Sequence, residues 1–467
     1  MRAIDGLSRG APPSIVVAAM ADQESESVRD QYAVRRLGEC RIPSPLNLSV
    51  VTGDFLPDYT EDDRRVLVDV EISHGETPSP AGFERAGPRQ HIFFDPMSTR
   101  VGIVTCGGLC PGLNNVLRSM VLELNHKYRV RDILGFRYGF EGLNPAFGSP
   151  PINLDPPAVA DVHRHGGSML GLSRGHQDVG MMVDTLQRHG LDILFCIGGD
   201  GTLRGAHAIS LECEQRGLPI SIVGVPKTVD NDVPWVDKTF GFDTAVDVAR
   251  QAITGAHAEA RGTRNGVGIV KLMGRDAGFI AAAATLASED VNFCLIPEVP
   301  FEMDGRHGLL ACLERRLASR GHAVIVVAEG CAAHFNESAL SLDASGNARY
   351  AQGATDVGPI LRDAIAEHLR VRKVAASVKY IDPSYMIRSG AANASDAIFC
   401  NELARYAVHA GMAGRTDTVV GRLHRRFTHV PLSLITGDKK RINPDSAHWL
   451  SVTEATGQPR LTNDPPA

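Results

Sequence analysis

Gly198-Gly199-Asp200-Gly201-Thr202 closes an apolar run, Leu191 to Ile197, and opens a helical pattern. Glycines after a strand let backbone N–H groups come close to phosphate oxygens. Asp200 suits Mg2+, which takes one or two carboxylates together with phosphate oxygens. The Thr202 hydroxyl adds a donor. The plainer alternative is a tight strand-to-helix turn with a capping Asp. A second cluster follows Ser221 to Val225: Pro226-Lys227-Thr228-Val229-Asp230-Asn231-Asp232. Its two carboxylates stand at i and i+2 with a hydroxyl just before them. One acid can take a proton from an attacking alcohol while the other helps hold Mg2+ or orients the first. An Asx-rich turn is the bland reading of the same residues.

Four further clusters sit at turns. Met273-Gly274-Arg275 places a guanidinium on a glycine turn, suited to a planar, two-pronged anion contact. Ile381-Asp382-Pro383-Ser384-Tyr385-Met386-Ile387-Arg388, with Lys379 just before it, offers a phenol and a second guanidinium. Glu329-Gly330 puts a lone carboxylate after an apolar run, where it can hold sugar hydroxyls. Gly166-Gly167-Ser168-Met169-Leu170-Gly171-Leu172-Ser173-Arg174 is a loop with one cation for triphosphate charge. Taken singly, each Arg is as well explained as a surface residue.

The elements that must position these residues are strands and helices in alternation. Arg100 to Thr105, Leu191 to Ile197, Ser221 to Val225, Val267 to Leu272, Phe293 to Ile296 and Ala323 to Ala328 read as buried strands. Asn114 to Asn125 and Asp243 to Glu259 carry apolar residues at helical spacing. Such alternation predicts an α/β fold with parallel sheets covered by helices on both faces. In these folds ligands bind at the carboxyl ends of strands, where the glycine and acid clusters lie. The first ninety or so residues lack this pattern. They read as an extension that wraps a core, with one alternating strand, Val66 to Ile72, and a Gly/Pro-rich connector near Thr77 to Pro88.

The chain of 467 residues is 43% hydrophobic and 22% charged, with 48 Lys plus Arg against 54 Asp plus Glu. Ordinary globular composition argues against a collagen-like fibre, a coiled coil and a disordered tail. A formal charge of −6 gives no global attraction to nucleic acid or to an anionic membrane. No apolar run is long enough to span a bilayer. Met1 to Met20 lacks the charged head and apolar core of a signal peptide. The nine cysteines form no paired framework and read as small buried thiols. His163, His165 and His176 read as ordinary loop or surface histidines. These properties predict a cytoplasmic protein.

In this order, the clusters resemble the 6-phosphofructokinase family. Gly198 to Thr202, Thr228 to Asp232, Met273 to Arg275 and Gly107-Gly108-Leu109-Cys110-Pro111-Gly112-Leu113-Asn114 carry the resemblance, which spans roughly Arg85 to Pro459. NAD kinases and lipid kinases share the first of these motifs but not the second or third. The extension, Arg85 to Pro96 and Thr456-Gly457-Gln458-Pro459 resemble the longer, ATP-using branch of plant and kinetoplastid-type enzymes. The resemblance implies a two-lobed phosphofructokinase fold: an N-terminal extension over 1–94, a nucleotide-binding lobe over 95–235, a sugar-phosphate lobe over 236–388, and a return to the first lobe with a tail over 389–467.

It further implies transfer of a phosphoryl group from MgATP to the 1-hydroxyl of fructose 6-phosphate, in glycolysis, by an allosteric homo-oligomer (dimer or tetramer). Gly107, Arg174, Gly175, Gly199, Asp200, Gly201 and Thr202 would hold ATP, with Mg2+ on Asp200. Asp230 would be the base, assisted by Thr228, Asp232 and Arg275. Thr228, Val229, Asp230, Met273, Gly274, Arg275, Glu329, Lys379, Tyr385, Met386, Ile387 and Arg388 would hold the sugar phosphate. Short bacterial relatives have Arg where this chain has Gly266, and Arg and His where it has Lys379 and Tyr385. Donor choice would turn on Gly201 and Lys227. Glycine at 201 leaves room for the α-phosphate of ATP, whereas Asp there would fill that room. Lys227 is a residue common in pyrophosphate users. The alternatives are pyrophosphate-dependent phosphotransfer, an NAD or lipid kinase, and a non-catalytic regulatory relative. Retention of Asp200, Asp230, Asp232 and Arg275 together argues against the last.

Overall fold

The computed structural model describes residues 31–51, 53–77, 79–335, 340–342, 348–350 and 356–463. Met1 to Met20 lie outside the described residues.

Two sheets carry the molecule. The larger has nine strands, in the spatial order Arg65–Leu67, Gly82–Arg85, Arg426–Pro431, Thr418–Leu423, Ser221–Pro226, Ile193–Gly198, Arg100–Thr105, Asp132–Phe136 and Ile152–Asn153. Its five central strands, Thr418–Leu423 through Asp132–Phe136, run parallel. The outer strands on both sides are antiparallel. The smaller sheet has four parallel strands, ordered Phe293–Leu295, His322–Ala328, Gly266–Leu272 and Ser377–Ile381.

Covered on both faces, the central strands have almost no solvated side. All six residues of Ile193–Gly198 and of Ser221–Pro226 are buried. Helix Asp200–Gln215 packs on these two strands, and helix Phe242–Gly262 on the second sheet. Small residues Ala245 and Ala249 of the latter are fully buried and let it lie close to its neighbours.

Chain order reverses between Arg100–Thr105 and Ile193–Gly198. From the first strand the chain steps outward to Asp132–Phe136; from the second it steps the other way, to Ser221–Pro226. A crevice opens at such a switch point, beyond the carboxyl ends of the strands. The turns that enter it are Gly107-Gly108 and Gly199-Asp200.

The described part of the N-terminal region adds strands to the core. Arg35–Arg36 pairs with Arg415–Thr416, Ile42–Pro43 with His91–Ile92, and Arg65–Leu67 with Gly82–Arg85. The strand read over Val66 to Ile72 ends at Leu67, because its pairing stops where Gly82 begins the partner strand. Val70 and Ile72 beyond it are exposed. The helix read over Asn114 to Asn125 is an α-helix only over Leu113–Leu122 and continues as a wider π-helical turn over Glu123–Tyr128. All nine cysteines are free thiols, eight of them buried. Among the described residues no helix is long and apolar enough to cross a membrane.

Candidate active site

A cavity of about 310 Å3 occupies the crevice. Its floor is the turn after Arg100–Thr105. Gly107 adopts φ +85°, a left-handed conformation that favours glycine. Three cations converge on this turn. Lys227 Nζ donates to the Gly108 carbonyl at 2.8 Å. A Cβ built on Gly108 would meet Arg388 Nη1 at 2.9 Å and Arg174 Nη2 at 3.0 Å. Burial pulls the Lys227 ammonium below its ordinary value, and Arg388 and Arg174 act in the same direction. The Arg174 loop is fixed to the turn by Gly107 N–H, which donates to Ser173 O at 2.9 Å.

One wall is the N-terminus of helix Asp200–Gln215, capped by Gly199. Its first N–H groups and its dipole favour an anion. Gly199, Asp200, Gly201 and Thr202 all line the cavity. Arg204 pairs with Asp200 across one helical turn at 2.8 Å. Burial raises the Asp200 carboxyl, opposed by Arg204 and Lys439.

The acid turn after Ser221–Pro226 forms the catalytic-looking end. Asn231 takes φ +56° and accepts from Thr239 N–H at 3.0 Å, which bends the chain so that Asp230 and Asp232 both face the cavity. Thr228 Oγ1 donates to Asp232 Oδ1 at 2.9 Å and accepts from Asp230 N–H at 3.1 Å. Asp230 Oδ1 is buried without a hydrogen-bond partner. Burial, then the neighbouring Asp232, pushes the Asp230 carboxyl up to about 7.

From the second sheet, Arg275 enters the cavity lining and pairs with Glu329 at 3.3 Å. Arg388 reaches it as well, with Nε 2.8 Å from Met273 Sδ. Gly274, at φ +122°, lets that turn close on itself; a Cβ there would lie 2.3 Å from Ala277 O.

The cavity thus brings together Gly107, Arg174, Gly175, Gly199, Asp200, Gly201, Thr202, Lys227, Thr228, Val229, Asp230, Asp232, Arg275 and Arg388. Met273 and Glu329 stand behind it, in contact with Arg388 and Arg275. The remaining expected sugar-phosphate residues are not brought to it. Lys379 lies exposed on the edge strand Ser377–Ile381. Tyr385 and Met386 are 90% and 70% exposed, while Ile387 is fully buried in the core. They follow one another on the short helix Ser384–Ser389, whose turn points neighbouring side chains in different directions. Gly266 cannot carry a longer side chain, since a Cβ there would sit 2.2 Å from Ala260 O.

Sequence reasoning missed Lys439. Its ammonium lies 3.1 Å from Asp232 Oδ2 and 2.6 Å from Asp276 Oδ2, and it lines the cavity. Burial opposes its charge, but the two carboxylates outweigh burial and hold it protonated. Nothing local in Gly437-Asp438-Lys439-Lys440 signals this role; the contact exists only through the fold.

A donor set of one forward carboxylate, Asp200, beside a helix N-terminus and glycine N–H groups fits a magnesium ion that shares phosphate oxygens. Among the described residues no cluster of three or more His, Cys, Asp or Glu side chains forms a closed metal cage.

Fold and cleft define an α/β protein in which glycine turns and a helix N-terminus share one cavity with an acid pair and an arginine turn from a second sheet. A family model described as phosphofructokinase matches residues 100–411. The ATP-dependent 6-phosphofructokinase of Amycolatopsis methanolica is 48% identical over 442 residues, covering 92% of this chain and 95% of its own. The protein of that name from Trypanosoma cruzi is 42% identical, covering 95% and 91%. ATP-dependent 6-phosphofructokinase 7 of Arabidopsis thaliana is 44% identical, covering 83% and 79%. The crystal structure of a pyrophosphate-dependent phosphofructokinase from Marinobacter aquaeolei shares the fold, with a TM-score of 0.63 at 20% identity over 79% of this chain and 92% of that one. The chain belongs to the phosphofructokinase family.

Proposed function

We propose that the chain transfers the terminal phosphoryl group of MgATP to the 1-hydroxyl of fructose 6-phosphate, giving ADP and fructose 1,6-bisphosphate. The observation that carries this reading is Asp230. Its Oδ1 is buried without a hydrogen-bond partner, and burial with the neighbouring Asp232 pushes its carboxyl up to about 7, toward the range in which a general base works best at neutral pH. Asp230 takes the proton of the 1-hydroxyl as the new O–P bond forms and the bond to the β-phosphate oxygen breaks. Thr228, held by Asp232, keeps the Asp230 backbone in place. Arg275 and Glu329 hold the sugar, with Arg388 beside its phosphate. Gly107, Arg174, Gly175 and the helix N-terminus at Gly199 to Thr202 hold ATP. Asp200 would hold Mg2+, which when bound would supply positive charge to the donor's phosphate oxygens. Positioning and charge do most of the work in such transfers.

Pyrophosphate as donor is favoured by one observation, the ammonium of Lys227 in the cavity lining. That ammonium is buried and donates to the Gly108 carbonyl, so part of its capacity is spent on shaping the turn. An attractive Lys does not close a pocket, whereas an Asp at 201 would, and this chain has Gly201. The relatives named above are called ATP-dependent. A cytoplasmic, glycolytic homo-oligomer completes the reading; exposed Ile381, Tyr385 and Met386 offer an apolar surface near Arg388 for a second copy.

The test is product identity. Incubation with fructose 6-phosphate and MgATP, followed by phosphorus NMR, should show a second sugar phosphate at carbon 1 and stoichiometric ADP. Phosphate release without a new sugar ester, or esterification at another carbon, would refute the reading.

A further inference from the structure

Lys439 belongs to neither sheet, yet it touches an acid from the end of each. Asp232 ends the acid turn that follows Ser221–Pro226. Asp276 follows the arginine turn that leaves Gly266–Leu272, and lies 163 residues away from Lys439 in sequence. The segment around Lys439 is tied to both sides by further bonds. Lys440 N–H donates to Asp232 O at 3.0 Å, and its ammonium donates to Val236 O at 2.8 Å. Ile442 N–H donates to Glu298 Oε1 at 2.9 Å, and the same carboxylate accepts from Gly278 N–H at 3.0 Å. The segment is therefore a strap across the two sheet ends, with the Lys439 ammonium as its contact facing the cavity.

The hydrogen-bond chain continues inward. Asp232 uses Oδ2 for Lys439 and Oδ1 for the Thr228 hydroxyl, and that hydroxyl accepts from Asp230 N–H. Without the ammonium, Asp232 and Asp276 would face one another and Asp200 as uncompensated carboxylates. Asp232 would then have no fixed orientation from which to hold Thr228. Asp276 is next in sequence to Arg275, so the same cation bears on the sugar side.

We propose that Lys439 is a positioning residue for phosphoryl transfer, clasping Asp232 to Asp276 so that the Asp230 turn and the Arg275 turn keep one register. The proposal rests on the phosphoryl-transfer reading of the cavity. It differs from a role in binding ATP, because the clasp acts on the reacting geometry and not on ground-state affinity.

The experiment compares the full-length protein with Lys439→Met, Lys439→Arg, Asp276→Asn and the Lys439→Met/Asp276→Asn double variant. Turnover of fructose 6-phosphate by the unmodified chain first establishes the underlying reading, so its failure is seen separately. Misplacement of reacting groups by about 1 Å costs on the order of 10²-fold, and Lys439→Met should lower kcat by about that factor. KM for ATP and for fructose 6-phosphate should stay within about twofold. Lys439→Arg, which keeps the charge, should recover part of kcat. Asp276→Asn should lose kcat by less than Lys439→Met, and the double variant should be no worse than Lys439→Met, since both remove one clasp. Unchanged kcat in Lys439→Met would overturn the proposal. So would a rise confined to KM for ATP, or additive losses in the double variant. Should Lys439→Met fail to fold, Asp276→Asn with unaltered kcat would refute the clasp by itself.

Discussion

Asp230, the base in the function we propose, sits in an environment that makes two opposed demands. Burial beside Asp232 raises its pKa to about 7, which suits a base and disfavours the folded state. The native chain holds a proton there that the unfolded chain has lost. Stability therefore falls as pH rises between the unfolded value of about 3.9 and the folded value of about 7. Asp230→Asn should lower kcat by roughly 10²–10⁴-fold with sugar binding largely kept. It should also remove the acid limb of the kcat profile. Thermal melts should show the variant gaining most over the unmodified protein at pH 8 and least at pH 4. A gain independent of pH would mean that Asp230 is not the strained group. Arg275→Ala should raise KM for fructose 6-phosphate far more than KM for ATP in steady-state assays, because Arg275 reaches the cavity from the second sheet beside Glu329. Equal effects on both substrates would count against a sugar-side role. At this scale, residues next to strand ends were readable from sequence. The Gly199 to Thr202 cradle, Thr228 and Asp230 follow directly from strand-then-turn chemistry. Tyr385 and Met386 lie outside the cavity lining, and a turn motif does not say which way each side chain on a short helix will point.

Among the elements, buried parallel strands were legible because a strand covered on both faces is apolar throughout. Arg100–Thr105 and His322–Ala328 show this. Strands outside the parallel core were not. The edge strand Ser377–Ile381 is half exposed, and Arg426–Pro431, although paired on both sides and mostly buried, mixes Arg, Phe, Thr, His and Val with no continuous apolar run. The attachment of the N-terminal region was equally hidden, since it depends on charge. Glu84 is 1% exposed and meets Arg89 at 2.9 Å, Arg415 at 3.0 Å and Arg36 at 2.9 Å. Asp62 binds the same arginines. Burial opposes the Glu84 charge, but His429, Arg415 and Arg89 outweigh it and hold its carboxyl well below the usual range. A depressed pKa adds stability above the unfolded value of about 4.3, and that stability is lost as pH falls below it. Glu84→Gln strands buried cations and should destabilise by about 3–5 kcal/mol. Urea denaturation at pH 7 measures this, and the deficit should hold down to about pH 4.3, the unfolded value, and shrink only below it. A loss under 1 kcal/mol would show that the arginines are satisfied without Glu84.

Across the whole molecule, two sheets place two kinds of chemistry on opposite sides of one crevice. The glycine turns, the helix N-terminus and the acid turn with our proposed base come from the nine-stranded sheet, and the arginine turn from the four-stranded one. Strand order, which creates the crevice, cannot be read from composition or periodicity; the chain's glycine and acid turns only mark where a crevice would be used. In the function we propose, donor choice is a property of the assembled cleft, because Gly201 on one wall and Lys227 by the floor line the same cavity. The most direct measurement is the initial rate of fructose 1,6-bisphosphate formation with MgATP and with magnesium pyrophosphate, for the unmodified chain and for Gly201→Asp. Efficient turnover with ATP, little with pyrophosphate, and loss of the ATP reaction in Gly201→Asp are expected. Efficient turnover with pyrophosphate and none with ATP in the unmodified chain would contradict ATP as the donor.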